Sequence, residues 1–122
     1  MPELKKYKMF IGGEWVDSDT KKTFETLNPE DNKPWAVVPE ASASDVDKAV
    51  QAAQKGFEAE WPKILPRERA KFLRAIGNKL RDNAELLGKI ETIDTGKLYR
   101  ETNNQPNYIA AYYHYYAGMA DK

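Results

Sequence analysis

The spacing of apolar residues changes once along this chain, at Ser42, and that change limits the folds open to it. Before it, apolar residues come in short runs stopped by glycine or proline. After it, they return every three or four positions. A chain of 122 residues patterned in this way makes a small α+β body: a short N-terminal β-hairpin and strands over residues 1–41, then about four α-helices over residues 42–122.

The strands follow from local chemistry. Met9-Phe10-Ile11 is stopped by Gly12-Gly13, a pair suited to the positive φ angles of a hairpin turn, and Trp15-Val16 returns. Thr23-Phe24-Glu25-Thr26-Leu27 alternates polar and apolar residues and ends at Asn28-Pro29, because proline cannot donate to a ladder. Trp35-Ala36-Val37-Val38 is a further strand, closed by Pro39.

In the helical part, Ser42 or Ser44 caps the first helix, with Asp45 and Asp47 in its first turn, where the helix dipole favours negative charge. Its apolar face is Val46, Ala49, Val50, Ala53 and Phe57, and Trp61-Pro62 breaks it. Pro66 suits the start of the next helix, whose buried stripe reads Ala70, Leu73, Ile76 and Leu80. Asp82-Asn83 interrupts, then Ala84, Leu87 and Ile90 continue at helical spacing to Gly96, a C-cap glycine. The last helix begins between Arg100 and Asn107 and carries Ile109, Tyr112, Tyr113, Tyr116, Ala117 and Ala120 as its stripe. Five of seven tyrosines crowd into Tyr108–Tyr116, so the reading has them surrounding that helix, with too few partners in the chain to cover them. More polypeptide or another subunit is expected, along with exposed apolar surface and a tendency to associate.

Charge excludes several roles. Lys plus Arg equals Asp plus Glu at 19 each, so no net field gathers nucleic acid or an acidic membrane. Basic runs such as Lys5-Lys6 are too short for a polybasic signal. No stretch approaches the roughly 20 apolar residues of a membrane span. The absence of cysteine removes disulfides, thiolate metal sites and thiol catalysis, and fits a cytoplasmic protein.

No catalytic constellation is present in the sequence. His114, the only histidine, sits beside the buried stripe without an acidic partner within a turn, and reads as a rim or surface residue. Gly12-Gly13 lies between strands and does not open a helix, and no glycine-rich phosphate loop occurs, so no cofactor-binding residue is assigned. Asp94 stands in the last turn of a helix, against the dipole, and needs compensation from water, from Lys97 or from a bound cation.

These segments carry a resemblance. Phe10-Ile11-Gly12-Gly13-Glu14-Trp15, Thr26-Leu27-Asn28-Pro29, Val38-Pro39-Glu40-Ala41-Ser42-Ala43 with Asp45-Val46-Asp47-Lys48-Ala49-Val50, Pro66-Arg67-Glu68-Arg69-Ala70, Glu91-Thr92-Ile93-Asp94-Thr95-Gly96-Lys97 and Tyr115-Tyr116-Ala117-Gly118 look like successive N-terminal landmarks of NAD(P)-dependent aldehyde dehydrogenases, in family order. Leu98 and Met119 depart from the proline and tryptophan frequent at those places.

The resemblance implies that the chain is the N-terminal portion of the α/β Rossmann-like cofactor domain of a several-fold longer, dimeric or tetrameric oxidoreductase. Enzymes of that family oxidise aldehydes to carboxylic acids with NAD or NADP. Their glycine cofactor motif, general-base glutamate and nucleophilic cysteine lie beyond the matching segment, so the chain is expected to be inert by itself. The resemblance also implies a monovalent cation held by the carbonyl of Leu27 and by Asp94, and a substrate tunnel bordered by Asn104 and Tyr108. Its partner would be the remainder of such an enzyme. The alternative is a non-enzymatic module that self-associates or docks onto a subunit.

Overall fold

The computed structural model describes residues 4–122, so the first three positions of the β-rich segment lie outside the described residues. Five strands are followed by helices: β1 (Lys5–Lys6), β2 (Met9–Ile11), β3 (Glu14–Val16), β4 (Thr23–Asn28), β5 (Lys33–Pro39), α1 (Ala43–Ala59), a 3-10 turn (Trp61–Lys63), α2 (Pro66–Asp82), α3 (Ala84–Thr95), the single-turn α4 (Tyr99–Thr102) and α5 (Gln105–Met119). The class is α+β, as the change of period indicates: short strands, then four full helices and one extra turn. The chain forms two compact units, Met1–Lys63 and Ile64–Lys122.

In the first unit, β2 and β3 pair antiparallel about Gly12 and Gly13, whose φ angles of 62° and 91° are left-handed. Phe10 faces Trp15 across the pair, ring centroids 5.0 Å apart. β4 and β5 form a second antiparallel pair, turned by Asn28: its side chain accepts from the Glu30 N–H (3.0 Å) and its carbonyl from the Asn32 N–H (2.8 Å). β1 adds in parallel to the other edge of β5, giving the order β1-β5-β4 and burying Ala36 on the central strand. Two lysines carry no alternating pattern, which is why β1 escapes a reading from periodicity.

Helix α1 starts with a capping box. The Asp45 N–H donates to the Ser42 hydroxyl (3.1 Å), while the Ser42 N–H donates back to the Asp45 carboxylate (2.8 Å). That carboxylate also accepts from the Ser18 hydroxyl (3.0 Å) and the Asp19 N–H (3.2 Å). These donors, the Ser42 N–H foremost, outweigh burial and draw the Asp45 pKa down to about 2. The inward pull on Asp45 sets the rotation of α1 and corrects the expected face. Asp45, Ala49 and Ala52 turn inward, whereas Val46, Val50 and Phe57 stay exposed, Phe57 at 63%.

The second unit is built on α2 against α5. Its buried contacts are small: Ala70 and Gly77 of α2, with Ala110 and Ala117 of α5. A Cβ placed on Gly77 would stand 2.7 Å from the His114 ring and 3.1 Å from the Ala110 carbonyl oxygen. His114 is therefore part of the helix contact, not a rim residue. Its Nε2 is buried, and its Nδ1 lies 3.5 Å from an Arg81 nitrogen.

Two expected stripes need correction. Ile76 of α2 is exposed and borders, with Phe72, Leu86 and Leu87, an open apolar trough of about 460 Å³. On α5, Tyr113 and Ala120 are half-buried and Ala117 is buried, but Tyr112, Tyr116 and Ile109 are exposed. Tyr108, Tyr112, Tyr115 and Tyr116 share one open groove on the outer side instead of surrounding the helix. The physical reason is size: an approach that needs glycine at Gly77 admits alanines, and tyrosines would hold the helices apart.

Candidate functional site

The segment from Asp94 to Tyr108 collects most of the residues singled out by the sequence. Helix α3 closes on Gly96, at φ 74°, whose N–H donates to the Thr92 carbonyl (2.9 Å). Asp94 is exposed in the last turn of that helix. The ammonium of Lys97 lies 2.6 Å from the carboxylate of Glu91.

Helix α4 is fastened to α3 by two contacts. The hydroxyls of Thr92 and Thr102 are 2.7 Å apart, and Thr102, fully buried, also donates to the Tyr99 carbonyl (3.2 Å). Gly88 lies under Asn103 so closely that a Cβ there would meet the Asn103 Cα at 2.7 Å. The next residue is Asn104, the N-cap of α5. Its side-chain N–H₂ reaches back to the Arg100 carbonyl (2.9 Å), and its own carbonyl accepts from the N–H groups of Asn107 (3.1 Å) and Tyr108 (3.4 Å).

Asn104 and Tyr108 thus stand one turn apart on one face of α5. Both are exposed, Tyr108 at 71%, and Tyr108 opens the tyrosine-lined groove, about 400 Å³ in volume. Leu27 belongs to the first unit. It sits at the register shift of β4, opposite Pro34, which has no N–H for the ladder. Gly88 and the Thr92–Thr102 pair, which place the Asn104 segment, were not singled out by the sequence. A glycine in the middle of an otherwise regular helix was the available signal.

The model of the aldehyde dehydrogenase family matches residues 15–122. The chain belongs to that family.

Among the relatives of this aldehyde dehydrogenase segment is (Z)-2-((N-methylformamido)methylene)-5-hydroxybutyrolactone dehydrogenase of Acinetobacter baylyi, 37% identical over 98% of this chain and 24% of its own length. Another is aldehyde dehydrogenase family 2 member C4 of Arabidopsis thaliana, 37% identical over 100% of this chain and 25% of its own. The NAD-dependent aldehyde dehydrogenase of Sinorhizobium meliloti superposes with a TM-score of 0.92 at 30% identity, covering 98% of this chain and 24% of that one. The betaine aldehyde dehydrogenase of Staphylococcus aureus, solved with NAD+, gives 0.90 at 36% identity, covering 94% of this chain and 23% of that one. The chain spans about a quarter of the length of these relatives. Its strands and helices match the N-terminal part of the family's Rossmann-like fold.

The glycines of this segment form no cradle for a dinucleotide. Gly12 and Gly13 turn a hairpin, Gly96 ends a helix where carbonyls point outward, and Gly56, Gly77, Gly88 and Gly118 lie inside helices. Among the described residues no group of three or more His, Asp or Glu side chains is placed to hold a metal ion. No described helix is long and apolar enough to cross a membrane.

Proposed function

We propose that this chain supplies the N-terminal part of the cofactor domain of an NAD(P)-dependent enzyme that oxidises an aldehyde to a carboxylic acid, and that it is catalytically inert by itself. One observation carries the reading: the family match spans residues 15–122, yet the sequence contains no cysteine to act as the family's nucleophile. In the assembled enzyme Asn104 and Tyr108 border the path of the aldehyde, and their shared exposed face supports that role. The enzyme works in the cytoplasm, a location that the lack of cysteine in this segment supports. The test is direct. Purified chain mixed with an aldehyde and NAD or NADP gives no rise in reduced-nicotinamide absorbance, and cysteine-free turnover would overturn the proposal.

A second reading, a module that self-associates or docks onto a subunit, is favoured by the four exposed tyrosines on one side of α5. Light scattering separates the two. A stable oligomer that dissociates on Tyr112→Ser with Tyr116→Ser supports the second reading, and a monomer with a cooperative melt argues against it.

A further inference from the structure

Helix α5 carries no Asp, Glu, Lys or Arg from Gln105 to Met119, and four of its tyrosines share one face. Tyr112 is central. Tyr108 lies one turn before it, and Tyr115 and Tyr116 lie one turn after, so all three are its neighbours on the helix surface. Together with Ala111 they line the open groove of about 400 Å³, a volume typical of small-molecule sites. The four rings are between 61% and 71% exposed. Tyr7 of the first unit has the Lys5 ammonium over its ring, 4.7 Å from the centroid. Among the described residues no cation stands over any ring of the groove.

Ring geometry sets what the groove attracts. An aromatic face is the negative pole of its quadrupole. Tyr115 and Tyr116 stand edge to face, centroids 5.3 Å apart and planes at 86°, so their faces meet as the two walls of a corner. Tyr112 and Tyr108 continue the lining along the helix. A cation seated there meets several negative ring surfaces at once. The same lining lacks what a primary ammonium or a guanidinium requires. It has no carboxylate, and the carbonyls within a helix are taken up by its own ladder. A cation with N–H donors would lose hydrogen bonds to water without replacement. A quaternary ammonium has no N–H to leave unpaired, and its methyl groups add apolar surface that suits Ala111 and the rings.

We propose that the tyrosine groove of α5 binds a quaternary ammonium head group. The proposal is independent of the aldehyde-oxidising reading, since the head group is held and not oxidised. It also differs from self-association through the same rings, because it requires a charge.

The experiment is an NMR titration of the full chain with two probes: choline, and its neutral isostere in which a tert-butyl group replaces the trimethylammonium. Saturable shifts confined to the amides and tyrosine rings of α5 are expected, with half-saturation on the order of 10 mM, as a few exposed cation–π contacts provide. Choline should bind at least about threefold more tightly than the isostere, because only the cation is drawn to the ring faces. Tyr112→Leu, which keeps apolar bulk and removes the ring, should weaken choline binding at least about threefold and change binding of the isostere less than about twofold. Tyr112→Phe keeps the ring and should keep most of the affinity. Equal affinity for the two probes, shifts reproduced by sodium chloride alone, shifts spread equally over Tyr7 and Tyr99, or a Tyr112→Leu chain that binds choline as the unaltered chain does would each overturn the proposal.

Discussion

The imidazole of His114 lies over Gly77, so close that a single added methyl group would stand 2.7 Å from its Cδ2 and Nε2. The pair sits at the centre of the α2–α5 contact, between the buried Ala110 and Ala117. Gly77→Ala gains about 1 kcal/mol of helix propensity. It loses about 1–3 kcal/mol to overpacking, so a modest net destabilisation is expected. His114→Ala in the same chain removes the nearer obstacle and leaves the Ala110 carbonyl oxygen at 3.1 Å. The double variant should recover part of the loss in urea melts, a coupling that independent sites would not show.

Gly88→Ala should cost more than Gly77→Ala. Its Cβ would meet only backbone: the Asn103 Cα at 2.7 Å, the Asn103 nitrogen at 2.8 Å and the Thr102 carbonyl carbon at 3.0 Å. A side chain can swing away, whereas backbone pinned by the Thr92–Thr102 hydroxyl pair cannot. The expected loss is about 2 kcal/mol or more. Amide exchange should speed up first at Thr102–Asn104, the segment that carries the tunnel candidate Asn104. Unchanged exchange there would show that α4 is not held by this contact.

Two other helical glycines have the opposite expectation. A Cβ at Gly56 or Gly118 meets nothing within 4 Å, and neither residue has a positive φ. Gly56→Ala and Gly118→Ala should each raise stability by about 0.5–1 kcal/mol through the smaller entropy of the unfolded chain. Denaturation midpoints that fall in either variant would mean that the position is covered by something else.

The contrast between these glycines explains what could be read from the sequence. Helix ends are decided by neighbours in the chain, so the cap of α1 (narrowed to Ser42 or Ser44, and found at Ser42), Pro66 at the start of α2 and Gly96 at the end of α3 were legible there. Which face of a helix turns inward is decided elsewhere. For α1 it is decided by Ser18 and Asp19, some 26 residues earlier than Asp45, and for α5 by a glycine on another helix. Hydropathy therefore picked Val50 and Phe57 on α1 and Tyr112 on α5, all of which are exposed. The parallel pairing of β1 with β5 was hidden for a similar reason, its partner lying about 30 residues away. Of the site candidates, Asn104 and Tyr108 share a face because they are spaced one helical turn apart, a relation that needs only the helix.

The last prediction concerns acid. Asp45 has a folded-state pKa of about 2 against an ordinary 3.8, because it accepts from Ser42, Ser18 and Asp19. A carboxyl group whose pKa is depressed on folding stabilises the fold when ionised. That contribution is complete above the unfolded value and is lost as pH falls through the folded one. The Asp19 carboxylate, lowered chiefly by its hydrogen bond from Lys48, acts in the same direction on the same turn. The midpoint of urea unfolding should therefore be flat from neutral pH down to about 4 and fall between about pH 4 and pH 2. Asp45→Asn should already be less stable at neutral pH and should lose much of that acid dependence. Ser42→Ala, which removes only the hydroxyl, should cost about 1 kcal/mol at neutral pH and keep most of the slope. If Asp45→Asn shows the same fall between pH 4 and pH 2 as the unaltered chain, the acid sensitivity belongs to other carboxylates, and Asp45 is not the group that anchors α1 to the turn at Ser18.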